Sequence, residues 1–324
     1  MNMELKTIIE PIKEDLKNFD RYFRNAMRSN IPYVDMIARY IVKQKGKRIR
    51  PVLVLLSSRT CGNINESTYR GAALVEILHT ATLIHDDVVD DADTRRGLAS
   101  INAVWKNKIA VLMGDYLLAK GLLLSLDNRD HEFLKIISNS VRKMSEAEIL
   151  QIAKSRQLNL DEKTYLKIIS GKTASLLSTC TEIGAVSANV DEQTRILMRE
   201  FGEALGMAFQ IRDDLLDYIG KKSITGKPVG KDLIEKKLTL PLIHALSKAS
   251  KKEQISILKI IKKEKKTDFH IILELVEKYG GIDYAERKAA EYAKLAKSKI
   301  VALPDSESKE SLLNFVDFII TRKN

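Results

Sequence analysis

An all-α fold is predicted by three features of the 324-residue sequence. Turn formers are scarce: proline occurs 6 times and glycine 15 times, where average usage of about 5% and 7% would give roughly 16 and 23. Leu, Ile, Ala, Lys and Glu are abundant, and apolar residues recur at helical spacing over long stretches. No window alternates apolar and polar residues with period two for long, which counts against a many-stranded sandwich or barrel. With 44% apolar residues the chain can build a sizeable core, and low-hydrophobicity disorder is excluded.

The elements follow in order from this periodicity. Leu74, Ile77, Leu78, Ala81 and Ile84 recur at i, i+3, i+4 and i+7, which predicts a helix from about Gly71 to the acidic run at His85. Leu166, Ile169, Thr173, Leu176 and Leu177 predict a second, and Leu205, Phe209, Leu216 and Ile219 a third. Breaks fall at Gly62–Asn65, Leu126–Asp130, Gly220–Gly230, Gly280-Gly281 and Pro304-Asp305. No linker composition divides the chain. One domain over residues 1–324 is expected, a bundle of roughly ten or more helices.

Two cysteines, Cys61 and Cys180, form neither a disulfide framework nor a zinc pattern. The start of the chain, Met1 to Lys6, lacks the apolar stretch of a secretory leader, and no uninterrupted run of 18 apolar residues occurs. These features predict a cytoplasmic protein without a membrane span. The net charge of +11 admits nucleic acid, anionic lipid or phosphorylated small molecules as partners. Lysine runs such as Lys262 to Lys266 read most simply as solvated helix faces.

Two acidic segments depart from ordinary helix chemistry. Asp86, Asp87, Asp90, Asp91 and Asp93 crowd the end of the helix that contains Leu78. Carboxylates four residues apart share a helix face and repel, and a helix C-terminus disfavours anions further. Asp213, Asp214 and Asp217 repeat the same spacing at the end of another apolar stretch. Two matched clusters call for a neutralising hard cation. Magnesium suits them, because it takes one or two carboxylates with water and substrate phosphate oxygens; EF-hand spacing is absent. Cations accompany the clusters: Lys47, Arg48 and Arg50, then Arg95 and Arg96, then Lys172, then Lys227, Lys231, Lys236 and Lys237. Arg forks and Lys point charges are the usual partners of phosphate. His79 lies two turns before Asp86, and its spacing fits a phosphate donor and a core histidine equally.

At this point the sequence resembles the trans-isoprenyl diphosphate synthases. The resemblance rests on two Asp-Asp-x-x-Asp motifs, Asp86–Asp90 and Asp213–Asp217, and on the string from Leu78 to Asp87 closed by Asp93-Thr94-Arg95-Arg96-Gly97. Glu148-Ile149-Leu150-Gln151, Lys172-Thr173-Ala174, Phe209-Gln210, Gly226-Lys227 and Thr239-Leu240-Pro241 follow in the family's order. It implies an all-α homodimer around a deep central cavity, condensing an allylic diphosphate with isopentenyl diphosphate. By that resemblance Asp86, Asp90, Asp213 and Asp217 are ligands of about three magnesium ions. Asp87 and Asp214 stand within the same catalytic motifs. Lys47, Arg50, His79 and Arg96 would hold isopentenyl diphosphate. Arg95, Lys172, Gln210, Lys227 and Lys237 would hold the allylic diphosphate, with Thr173 beside the developing cation. Lys45, Ala147 and Lys236 replace glycines common in the family; no charged ligand is lost.

Ala81 and Thr82 stand five and four residues before Asp86, where short-chain members often carry aromatics. Both are expected to face the way the carboxylates face, and their small size implies an open tunnel. The expected product is long, roughly seven or eight isoprene units by the resemblance. Leu118, Leu122 and Leu123 are candidates for a far wall, or plain core. A short-chain synthase, a class I terpene cyclase, a catalytically silent partner subunit and a basic helical protein binding nucleic acid or membrane are the rivals. Two matched acidic clusters would repel a phosphate backbone in the absence of metal, so no nucleic-acid partner is expected.

Overall fold

Helix follows helix through the computed structural model, which describes residues 5–44, 46, 48–219, 237–263 and 269–322. In chain order the helices are α1 (Leu5–Ile9), α2 (Lys13–Met27), α3 (Pro32–Lys43), α4 (Ile49–Cys61), α5 (Glu66–Val89), α6 (Ile101–Asp127), α7 (His131–Gln157), α8 (Glu162–Ile169), α9 (Ser175–Ser187) and α10 (Glu192–Ile219). They continue as α11 (Leu240–Lys248), α12 (Lys251–Lys263), α13 (Phe269–Lys278), α14 (Gly281–Ile300) and α15 (Glu307–Thr321). A 3-10 turn (Glu10–Ile12) joins α1 to α2, and a π turn (Ser170–Ala174) joins α8 to α9.

The starts are written in side chains. Asn65 accepts from Thr68 N at 3.1 Å while Thr68 Oγ1 accepts from Asn65 N at 3.2 Å, a reciprocal cap on α5. Ser100, Asp161 and Ser306 cap α6, α8 and α15 in the single form. Four of the breaks expected from sequence fall between helices; Gly220–Gly230 lies outside the described residues.

α9 is buried on nearly all sides, packed by α4, α5, α7 and α10. It centres an apolar cluster that runs through α4, α5, α10 and α15. A second cluster gathers α8, α10, α11, α13 and α14, and a third fills the space between α3, α5 and α6. Leu74, Ile77, Leu78, Ala81 and Ile84 are all buried, as their spacing predicts. Close backbone approach fixes how α10 meets the π turn: a Cβ on Gly206 would lie 2.4 Å from Ala174 Cα. On the other side of the turn, a Cβ on Gly171 would lie 2.7 Å from Ala147 Cβ and 2.9 Å from Lys143 O. Ala147 is therefore accommodated because residue 171 has no side chain.

Two features differ from the sequence expectation. A short antiparallel hairpin, β1 (Thr94–Arg95) and β2 (Leu98–Ala99), follows the first acidic run. Its turn residues Arg96 (φ 51°) and Gly97 (φ 78°) both occupy the left-handed region, the demand of a tight two-residue hairpin turn. Two-residue strands are too short to leave a period-two signature. Secondly, α6 is by length and composition apolar enough to cross a membrane, although only 33% of its most apolar stretch is buried in the bundle. Its Met113, Leu117 and Gly121 pack into the bundle. The backbone breaks at Lys106 (φ 70°).

Candidate active site

The first acidic motif closes α5. Asp86 and Asp87 lie in its last turn, and Asp90 is the C-cap residue, its N–H donating to Asp86 O at 2.8 Å. Asp86 reaches solvent, whereas Asp87 is only 2% exposed. The burial of Asp87 is answered by Arg95 from β1, whose Nε donates at 2.8 Å and whose terminal nitrogen contacts the same oxygen. Enclosure by protein, then the neighbouring Glu148 carboxylate, raise the Asp86 pKa, against the lowering effect of Lys172.

Lys172 occupies the π turn, a rare one-residue insertion into helix that is frequent at functional sites. It bridges to Glu148 of α7 at 2.5 Å and donates to Gln151 at 3.3 Å. Its turn neighbour Thr173 donates to Gln210 Oε1 at 2.7 Å. Gln210 Nε2 donates in turn to Asp214 Oδ1 at 2.7 Å, and Tyr165 OH donates to Asp214 Oδ2 at 2.6 Å. A cavity of about 250 Å³ collects these groups: Lys172, Thr173, Gln210, Asp213, Asp214 and Lys237 line it. Lys172 acts on the charge of Asp86 and lines the cavity that Asp213 enters, so it links the two acidic motifs.

Asp213 is solvent-exposed on α10 and accepts from Arg322 at 2.9 Å. Arg322 comes from the far end of the chain; its guanidinium lies 4.1 Å from the Phe209 ring centroid and donates to Phe209 O at 3.3 Å. Asp217 lies one turn on, half-buried. Among the described residues, no three His, Cys, Asp or Glu side chains form a closed metal cage. The donors are all hard carboxylate oxygens, at most two per cluster side by side, which fits an ion completed by water and ligand phosphate rather than by protein alone.

The third group surrounds His79. It is buried, its Nδ1 has no partner, and burial followed by the charges of Arg50, Arg96 and Arg95 holds its pKa well below the ordinary histidine value. It is therefore neutral at pH 7. Arg50 Nε and Glu76 Oε2 are likewise enclosed without hydrogen-bond partners. Arg96 donates to Gln44 O at 3.0 Å and lies against Gly46. The charges of Arg50, Arg96 and Arg95 around His79, with Arg50 Nε left unpartnered, suit an anionic ligand, although the Glu76 carboxylate offsets part of the Arg50 charge. The predicted ligands Lys47 and Lys227 lie outside the described residues.

Thr82 is half-buried, and its hydroxyl donates to His79 O at 2.8 Å. Ala81 is 1% exposed and belongs to the α3–α5–α6 cluster. At 100° per residue, Thr82 lies about 40° from Asp86 around α5 and Ala81 about 140°. Only Thr82 shares the carboxylate face; the expectation that both do is corrected for Ala81.

The polyprenyl synthetase family profile matches residues 31–278. The chain belongs to the polyprenyl synthetase family. It is accordingly an enzyme of the prenyltransferase class, built on the all-α isoprenoid-synthase fold. An all-trans-nonaprenyl-diphosphate synthase (geranyl-diphosphate specific) from Rhodobacter capsulatus is 35% identical over 316 residues, 97% of each chain. A short chain isoprenyl diphosphate synthase from Methanothermobacter thermautotrophicus is 33% identical, with 88% of this chain and 89% of that one covered. The crystal structure of a polyprenyl synthase from Caulobacter crescentus, complexed with calcium and isoprenyl diphosphate, superposes with a TM-score of 0.91 at 34% identity, covering 100% and 99% of the two chains. Family membership thus spans both product classes.

Sequence reasoning gave no role to Glu76, Tyr165 or Arg322, and Glu148 was only part of a motif. Arg322 contacts Asp213 across 109 residues, a pairing without local signal. The Tyr165–Asp214 bond spans 49 residues.

Proposed function

We propose that the chain elongates an allylic diphosphate with isopentenyl diphosphate, repeatedly, to a long-chain all-trans polyprenyl diphosphate. The supporting observation is the cavity that gathers Lys172, Thr173, Gln210 and Asp213 while Lys172 also faces Asp86. Asp86, Asp90, Asp213 and Asp217 would hold magnesium, which would supply positive charge to the diphosphate leaving group. Calcium and isoprenyl diphosphate in the Caulobacter relative support a divalent cation paired with a diphosphate.

The protein's own groups do the rest. Lys172, Arg95, Lys237 and Lys227 add fixed positive charge around the allylic diphosphate, acting before the carbon–oxygen bond opens. Thr173 commits its proton to Gln210, so its oxygen lone pairs face the cavity as the negative end of a dipole beside the allylic cation. Asp214 and Tyr165 lock Gln210 in that orientation. Ile168, Ile169 and Leu238 keep the wall apolar and exclude water as nucleophile. Arg50, Arg96, Lys47 and neutral His79 hold isopentenyl diphosphate, whose double bond attacks. The departing diphosphate takes the proton released afterwards. The small side chain at Thr82, on the carboxylate face, favours the long product.

Labelled isopentenyl diphosphate incubated with allylic starters is expected to enter long-chain products with magnesium and to remain unconsumed with a chelator. Magnesium-dependent cyclisation of the starter without uptake of label would sink this reading.

The active enzyme is proposed to be a homodimer. α6 leaves the apolar side chains of Val104, Val111, Leu112, Leu123 and Leu126 exposed, a face that a second subunit would cover. Leu112→Asp with Leu123→Asp is expected to turn the dimer into a monomer in sedimentation velocity. A cytoplasmic setting is proposed for the enzyme, in keeping with its two free cysteines, Cys61 and Cys180, whose thiols burial pushes up to about 12.

A further inference from the structure

We propose that the corner between α2 and α3 docks the enzyme on the surface of a bilayer that contains anionic phospholipid. A trough runs along this corner. One part, of about 440 Å³, is walled by Arg24, Arg28, Arg39 and Lys43 over an apolar floor of Met27, Ala38 and Val42. The other, about 430 Å³, shares Arg39 and Lys43 and extends to Tyr40 and Trp105. All four cations are exposed. One acid, Asp35, lies in the trough. It is satisfied, with Arg39 at 2.6 Å and the Ser29 N–H at 3.2 Å. Among the described residues, no carboxylate pairs with Arg24, Arg28 or Lys43. Arg28 acts on Asp35 only at longer range, so most of this charge faces outward.

The rim of the same corner carries apolar side chains that the bundle leaves uncovered. Ile31 is 60% exposed, Tyr33 51% and Met36 47%. They cluster at the start of α3, and Lys120 of α6 ties down the turn before it by donating to Arg28 O at 2.5 Å. An aromatic ring and two aliphatic chains at the tip, flanked by unpaired arginines and a lysine, are what a headgroup layer accepts. The apolar tip enters the interface while the cations meet lipid phosphates. A purely soluble anion would leave the exposed tip unexplained. A second copy of this chain would bring the same cations face to face.

The placement has a consequence for turnover. α3 runs from this corner to Gln44, whose carbonyl holds Arg96 of the proposed isopentenyl diphosphate site. Twelve residues at 1.5 Å each put the two ends about 18 Å apart. Docking at the corner would thus set the proposed catalytic cavity near a surface able to receive an amphiphilic product. That last step rests on the proposed function; the docking itself does not.

Co-sedimentation tests the docking without turnover. The full chain is incubated with vesicles of phosphatidylcholine alone or with added phosphatidylglycerol. Binding to the anionic vesicles is expected, weakening with salt, with little binding to the neutral ones. Arg24→Glu, Arg28→Glu and Lys43→Glu together are expected to weaken partitioning about a hundredfold. Ile31→Ser, Tyr33→Ser and Met36→Ser together are expected to weaken it about tenfold or more. These positions are exposed and outside the proposed catalytic machinery, so prenyl transfer to a water-soluble short starter should stay unchanged. Equal binding to both vesicle types, or binding unaffected by the charge reversal, would overturn the proposal. So would a change of oligomeric state in the serine variant, which would assign the tip to a second copy. Weaker binding of inorganic diphosphate by the charge-reversed variant would assign the trough to a soluble anion, with the same result.

Discussion

Asp86→Asn is expected to lower kcat/KM by about a thousandfold or more while leaving the fold intact. Removing one preorganised electrostatic group from a reaction that builds charge in its transition state typically costs two to three orders of magnitude. Here the lost carboxylate is also a proposed magnesium ligand, which places the effect at the upper end. Stability should move little. Asp86 reaches solvent, and surface substitutions usually stay within about 0.5 kcal/mol. The sign should be favourable. The folded protein raises the Asp86 pKa above its ordinary value, through enclosure first and Glu148 next. A group raised in this way holds its proton more tightly in the folded than in the unfolded chain. Its stabilising contribution is present below the unfolded value near 3.8 and is lost as pH rises through the folded one. At neutral pH the ionised carboxylate is therefore a small burden in metal-free protein, and the neutral amide removes it. Thermal melts in chelator and steady-state kinetics in magnesium read the two effects separately. A variant with near-normal turnover would remove Asp86 from the site; one that unfolds would make it structural instead.

What the sequence disclosed follows from the range of the interactions involved. Helix positions were legible because the 3.6-residue period and caps such as Asn65 and Asp161 act within a few residues. Asp86 with Asp90 and Asp213 with Asp217 were legible for the same reason, since like charges one turn apart need a cause. The π turn was not, because one inserted residue leaves apolar spacing nearly undisturbed; Gly171, opposite Ala147, is its only local trace. Nor was the division of labour inside the first motif. Asp86 and Asp87 are neighbours in sequence, yet one reaches solvent and the other is closed off by Arg95, because a helix turns about 100° between them. Arg322 on Asp213 and Tyr165 on Asp214 depend on folding distant segments together. The burial of Ala81 against α6 depends on which face α6 covers, which the period of α5 alone leaves open.

Thr82→Phe is expected to shorten the principal product by several isoprene units at nearly normal stability, and Ala81→Phe to shorten it with a measurable loss of stability. The two residues sit side by side on α5 but look in different directions. Thr82 shares the face of Asp86, its hydroxyl is already engaged by His79 O, and the residue is only half-buried. A ring there would lie on the carboxylate face, where the growing chain is proposed to run. Ala81 lies among Ile77, Ile84, Met113 and Leu117 with almost no free surface. A phenyl group must push α5 and α6 apart or turn toward the chain's path. Inserting that volume into a filled core costs about 1–3 kcal/mol, so its effect on product length arrives through a shift of the helix pair rather than through a direct floor. Chromatography of the dephosphorylated products measures length, and thermal melts measure packing. Unaltered length in both variants would mean that the chain grows along a different wall, leaving the far side of α6 as the next place to look. Shortening by Ala81→Phe alone, with its melting temperature preserved, would show that the tunnel passes between α5 and α6, through the cluster that is closed in the unliganded protein.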